Sequence, residues 1–170
     1  MPRESETARM NLRICEADLA NLRDAQGVLE VLDSYASDPV GGGEPLPEDV
    51  RSRLPSMLQE VPSALVLLAF DGDRPIGVAV CFFGFSTFRA RPLLNIHDLA
   101  VLPQYRGRGI GRALLAAAEG QAQRKGCCKL TLEVQDDNAR ARALYQRFGF
   151  EDFVVGKSAP TRFLAKKLET

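Results

Sequence analysis

The chain has 170 residues, enough for one sizeable core and too few for two comfortable domains. Hydrophobic residues make up 45%, charged residues 26%, and the formal net charge is zero, so no global basic field draws the chain to nucleic acid. The longest apolar runs, "ALVLLAF" and "IGVAVCFFGF", fall far short of the roughly 20 residues that span a bilayer, and the start "MPRESETAR" is too polar for a signal peptide. The expectation is a cytoplasmic protein without membrane or nucleic-acid partners: a flexible N-terminus over 1–9 and a single domain over 10–170.

In chain order, "MNLRIC" reads as a first strand. A helical pattern opens at Asp18, with Leu19, Leu22, Val28, Leu29 and Leu32 near one face, and stops at Asp38-Pro39 and Gly41 to Gly43. That glycine run is either a plain loop or a mobile flap over a pocket. A second helix fits Pro47 to Glu60, with proline in the first turn. From Ser63 the period changes to that of strands: "SALVLLAF" and "IGVAVCFFGF" flank the turn "DGDRP" as an antiparallel hairpin. The next strand, "LLNIHDLAVL", ends before Pro103. A helix from Ile110 stopped by Gly126 and the strand "KLTLEVQ" follow, which makes a βαβ unit with a parallel pair. "DDNARARALYQRFGF" gives a last helix, capped near Asp136 to Asn138 and stopped at Gly149, and two short strands fit "FEDFVV" and "TRFLAKKL".

The four cysteines (Cys15, Cys81, Cys127, Cys128) have no CxxC spacing, and adjacent Cys127 and Cys128 are a poor geometry for a structural bridge. His97 is the one histidine, so no metal site is expected, and without a GxSxG elbow a serine triad has no support. The chemically loaded stretch is "QYRGRGIGR", between a strand and a helix. Its glycines let an anion approach the main chain at the positive end of a helix, while Arg106, Arg108 and Arg112 can offset phosphate charge. It lacks the Lys-Ser/Thr of a P-loop, and its Gly107, Gly109 and Gly111 do not match the GxGxxG dinucleotide fingerprint. Alone, this loop supports an anion cradle and a purely structural turn equally.

Arg106, Gly109 and Gly111 match Q/R-x-x-G-x-G/A, and "NARARALYQRFGF" follows later in the chain. With these two motifs and this element order the chain resembles the GCN5-related N-acetyltransferase (GNAT) family. The resemblance covers about Ser63 to Phe150 strongly and the N-terminal strand and two helices in order. It implies an α/β (α+β) fold: a mixed, mostly antiparallel six- to seven-stranded sheet with a central splayed parallel pair and about four helices. It also implies acetyl-coenzyme A as co-substrate. By position, Leu99, Ala100 and Val101 would lie along the pantetheine arm, and Arg106, Gly107, Arg108, Gly109, Ile110, Gly111 and Arg112 would surround the pyrophosphate. Asn138 would contact the coenzyme with Ala139, Arg140 and Ala141 beside it, and Tyr145 would donate to the sulfur. Helical register agrees that Asn138, Ala141 and Tyr145 share a face, with Leu144 and Phe148 as a neighbouring apolar stripe.

Acetyl transfer to an amine needs a neutral nucleophile and a proton for the leaving thiolate. Tyr145 is the acid by resemblance; its alternative is packing on the sheet. His97 is the candidate base, because an imidazole can take the amine proton directly or through water; its alternative is a structural hydrogen bond. Regular alternation puts His97, Leu99 and Val101 on one strand face and Asp98 on the other. Asp98 and Glu133 can attract a cationic amine, or be a capping carboxylate and a solvated charge; Arg89 and Arg91 can equally meet an acidic group. Diamine acetyltransferases resemble this region but carry an acidic residue at the position of His97, so their specificity is not carried over. The expected function is N-acetylation of a small-molecule primary amine by direct attack in a ternary complex. The alternatives are a protein N-terminal or lysine acetyltransferase and a non-catalytic acyl-coenzyme A sensor. Family analogy and the apolar alternation of "TRFLAKKL" add a homodimer to the expectations.

Overall fold

The computed structural model describes residues 10–154, 156, 159 and 161–168, and divides after Leu132 into two compact units. In chain order its elements are β1 (Leu12–Glu16), α1 (Leu22–Ser37), α2 (Glu48–Gln59), β2 (Ala64–Asp71), β3 (Arg74–Ser86), β4 (Arg91–Val101), a 3-10 turn (Pro103–Tyr105), α3 (Ile110–Arg124), β5 (Leu130–Leu132) and α4 (Ala139–Phe148). The first unit holds one five-stranded sheet in the order β1-β2-β3-β4-β5, antiparallel except for the parallel β4–β5 pair. The mixed sheet and four helices are the architecture expected for the GNAT fold.

Helices cover both faces of the sheet, which is why β2 is buried nearly throughout instead of alternating. On one face α1 and α2 bring Val28, Val31, Leu32 and Leu58 against Val66, Leu68, Phe70, Val78, Val80 and Ala100. On the other, α3 buries Ile110, Leu114, Leu115, Ala118 and Ala122. Gly77 brings α3 close: a Cβ there would meet the Ala100 carbonyl, Ile110 and Leu114, each at 3.2 Å. The Asn21 side chain caps α1 by accepting the Arg23 N–H, so the helix begins later than the spacing from Asp18 suggests.

The second unit holds α4. The Asn138 side chain caps it by accepting the Ala141 N–H at 3.1 Å, and Gly149 closes it in a left-handed conformation at φ 108°. None of its residues is fully buried, including Leu144 and Phe148. The structure differs from the sequence reading at the C-terminal end of the chain. Residues 161–168 form no strand, and over 150–154 there is only an isolated bridge at Val154. Alternation supplies a face but not a partner, and strands are stabilised by cross-strand pairs; between these two segments the Thr161 N–H donates to the Phe153 carbonyl, without a strand ladder among the described residues. The sheet therefore has five strands among the described residues, not six or seven. Residues 1–9 and Val155 lie outside the described residues. Leu114 is fully buried between α3 and the sheet, and Leu114→Ala is expected to cost about 3 kcal/mol in urea unfolding.

Candidate active site

The site is built around one irregularity in β4. Along β3–β4, Val80 pairs with Asp98 but Cys81 pairs with Ile96, so His97 is an extra residue in a β-bulge. β5 runs beside β4 only from Leu94 to Ile96, where the Asn95 side-chain amide donates to Thr131 Oγ1 at 3.1 Å. From His97 to Val101 the edge of β4 away from β3 has no strand beside it among the described residues. The main-chain N–H and carbonyl of Leu99 and the N–H of Val101 face this edge, where an extended ligand could pair, while the Val101 carbonyl accepts from Arg106.

The same bulge corrects the expected faces. The His97 ring meets the Phe82 ring edge-on, with centroids 5.5 Å apart, and Phe82 packs on the core beneath α1 and α2. Asp98 lies opposite Val80, a member of that core, so it shares the same face. Leu99 and Val101 pair with Ala79 and Gly77, and Gly77 faces α3. His97 and Asp98 are therefore together, and Leu99 and Val101 are opposite, because one inserted residue reverses a period of two.

Past β4 the chain turns through Pro103–Tyr105 and reaches α3 through Gly107 at φ 76° and Gly109 at φ 82°. Both are left-handed conformations that favour glycine, and a Cβ at either would meet nothing within 4 Å, so the main chain is open to a ligand. The helical ladder starts with the Ala113 N–H on the Gly109 carbonyl. The amides of 110–112 precede it and, with the helix dipole, make an anion site that suits a pyrophosphate. Gly111 lies within the first turn of α3. The arginines divide: Arg108 lies over the Tyr105 ring, 5.4 Å from its centroid, while Arg106 turns inward, donating from Nε to the Val101 carbonyl at 3.0 Å and from Nη1 to Asp38 at 2.8 Å.

The face carrying Asp98 holds groups that the sequence does not single out, Tyr35 in the last turn of α1 and Phe82; Asp38, read from the sequence only as a helix stop, belongs with them. Burial holds the Asp98 carboxyl above the usual carboxylate range, and His97 pulls it partly back. Burial, then Asp98 and Asp38, raise the Tyr35 phenol. The Cys81 thiol is pushed up to about 12, by burial and then by Asp98, so it supplies no thiolate nucleophile near neutral pH. In the second unit Glu133 is exposed, Asn138 caps α4 with Ala139, Arg140 and Ala141 in its first turn, and the Tyr145 ring meets Phe150 edge-on at 5.9 Å. Among the described residues no group of three or more His, Cys, Asp or Glu is placed to hold a metal, and no helix is long and apolar enough to cross a membrane.

A carboxyl whose folded pKa is raised gives stability that is complete below its ordinary value and lost as pH rises through the raised one. Asp98→Asn is therefore expected to melt above the wild type at pH 7, with the gap closing as pH falls below about 4; equal melting temperatures at pH 7 would contradict the burial argument.

The profile of the Acetyltransferase (GNAT) family matches residues 28–150. A thialysine N-epsilon-acetyltransferase of Bos taurus is 38% identical over 82 residues, covering 48% of this chain and 48% of that protein. An N-alpha-acetyltransferase of Arabidopsis thaliana is 40% identical over 88 residues, covering 51% of this chain and 44% of that one. The chain thus spans about half the length of these relatives. A solved probable acetyltransferase superposes with a TM-score of 0.73 at 20% identity, over 91% of this chain and 99% of that one, which is a likeness of fold. With a family match over residues 28–150, more than half of its length, the chain belongs to the GNAT acetyltransferase family.

Proposed function

We propose that this protein is an acetyl-CoA-dependent N-acetyltransferase acting on a primary amine of a small molecule. The observation that carries the proposal is the edge of β4 from His97 to Val101, beside which no strand lies among the described residues, followed by the open cradle of Gly107 and Gly109. When bound, acetyl-CoA supplies an activated acetyl group. The main chain of Leu99 to Val101 pairs with an extended pantetheine arm, and the amides of 107–112 hold the pyrophosphate, with Arg108 and Arg112 offsetting its charge. Tyr145 is assigned to protonate the leaving thiolate, and Asn138 to Ala141 to flank the coenzyme.

On the acceptor side, His97 is the group that takes the amine proton, directly or through water, while Asp98 and Glu133 draw in the cation. The Asp98 carboxylate, whose charge also raises the Tyr35 phenol, favours a cationic amine over an anionic acceptor. The relative named for an N-epsilon amine is consistent with this class. The relative named an N-alpha-acetyltransferase gives the second reading, in which the acceptor is a protein N-terminus or lysine. A homodimer remains part of the proposal by analogy; residues 161–168 lend it no strand, although Phe163, Leu164 and Leu168 are exposed.

Thiol release from acetyl-CoA, measured over a panel of small primary amines and a panel of peptides, tests the assignment. Turnover with small amines is expected. Turnover with peptides alone moves the assignment to protein acetylation, and tight coenzyme binding with no thiol release from either panel leaves a sensor. Tyr145→Phe is expected to lower kcat by about 100-fold while leaving coenzyme binding within a few fold. His97→Ala is expected to remove the acidic limb of the pH–rate profile; an unchanged profile takes His97 out of the mechanism.

A further inference from the structure

The glycine loop and the α1–α2 turn are each organised by one residue, and those two residues hold each other. At the end of α1, the Asp38 carbonyl accepts the N–H groups of Gly41, Gly42 and Gly43 at 2.8, 3.1 and 3.0 Å, and its Oδ1 accepts the Val40 N–H at 3.1 Å. Gly41 is locked into this turn, since a Cβ there would collide with the Tyr35 carbonyl. The glycine run is therefore a closed turn hung on Asp38. At the end of β4, Arg106 closes the 102–106 turn by donating Nε back to the Val101 carbonyl, immediately before Gly107. Asp38 Oδ2 accepts from Arg106 Nη1 at 2.8 Å, and the two side chains are only 19% and 21% exposed.

We propose that Asp38 and Arg106 are positioning residues, an ion-pair latch that holds the pyrophosphate loop and the acceptor-side α1–α2 turn in one fixed relation. Their guanidinium–carboxylate bond joins the two loops over a sequence separation of 68 residues. Because Tyr35 and Asp38 lie on the face that carries Asp98, a change in the coenzyme loop is transmitted to the acceptor wall through this bond. Arg106 then serves the coenzyme by shaping the loop that binds it, whereas Arg108 and Arg112 serve as its charge. This inference rests on the acetyltransferase reading for its coenzyme arm and on the fold alone for its latch.

Two substitutions separate shaping from charge. Removing a carboxylate near an anion site should by electrostatics alone strengthen anion binding. If Asp38 shapes the loop, Asp38→Asn instead weakens coenzyme A binding, by about 5-fold or more in calorimetry. Arg106→Lys keeps the charge but cannot reach the Val101 carbonyl and Asp38 with one planar fork, so it too is expected to weaken binding about 5-fold or more. The cross-loop readout is hydrogen exchange: Arg106→Lys should speed exchange at Gly41 to Gly43, and Asp38→Asn should speed it at Gly107 and Gly109. Unchanged or tighter coenzyme binding in Asp38→Asn together with wild-type affinity in Arg106→Lys overturns the proposal. If the wild type binds no coenzyme A, the acetyltransferase reading fails separately. The latch is then decided by exchange alone, and unchanged exchange across the partner loop in folded variants refutes it.

Discussion

One inserted residue in β4 governs the site. A regular β4 would keep its register with β3; with His97 as an extra residue the register shifts between Val80 and Cys81, just beyond Ile96, the last β4 residue paired with β5. Bulges increase local twist and re-aim side chains. Both effects matter here. The edge without a neighbouring strand among the described residues is where the proposed extended ligand would add, and the reversed alternation brings His97 onto the face that carries Asp98, beneath the end of α1. In the proposed mechanism, the edge assigned to the thioester and the face assigned to the proton acceptor would then belong to neighbouring residues of one strand.

The anion end of the site depends on main-chain dipoles more than on side-chain charge. Gly107 and Gly109 take left-handed conformations with open space where a Cβ would be, and α3 begins at once behind them. Such a cradle is rigid only if the chain entering it is held, and the inward turn of Arg106 to Val101 and Asp38 does this. The two ends of β4 thus carry different physics: a side-chain cluster where burial alters proton affinity, and a backbone nest where conformation decides.

Elements with strong periodicity are legible in the amino-acid sequence: the α1 face of Val28 and Leu32, the β2–β3 hairpin around Gly72, and the strand–loop–helix that carries the glycines. The loop is legible because glycine spacing reports a backbone requirement directly. The bulge is not, since "NIHDLAVL" alternates like a regular strand and no glycine or proline marks the insertion, so the pattern puts His97 and Asp98 on opposite faces. The partner of Arg106 is not legible either; an arginine among glycines reads as a phosphate ligand until Asp38, distant in sequence, is seen to hold it. "TRFLAKKL" shows the converse, a strand-like pattern that forms no strand because alternation alone provides no pairing partner.

The most direct test is backbone hydrogen exchange of the whole protein with and without coenzyme A. Slowed exchange confined to the amides of Leu99 and Val101 and of 107–112 is the predicted result, since those are the groups that the strand-free edge of β4 and the glycine cradle offer a ligand. Binding of coenzyme A with no protection at either segment would contradict the account of how this fold makes its site.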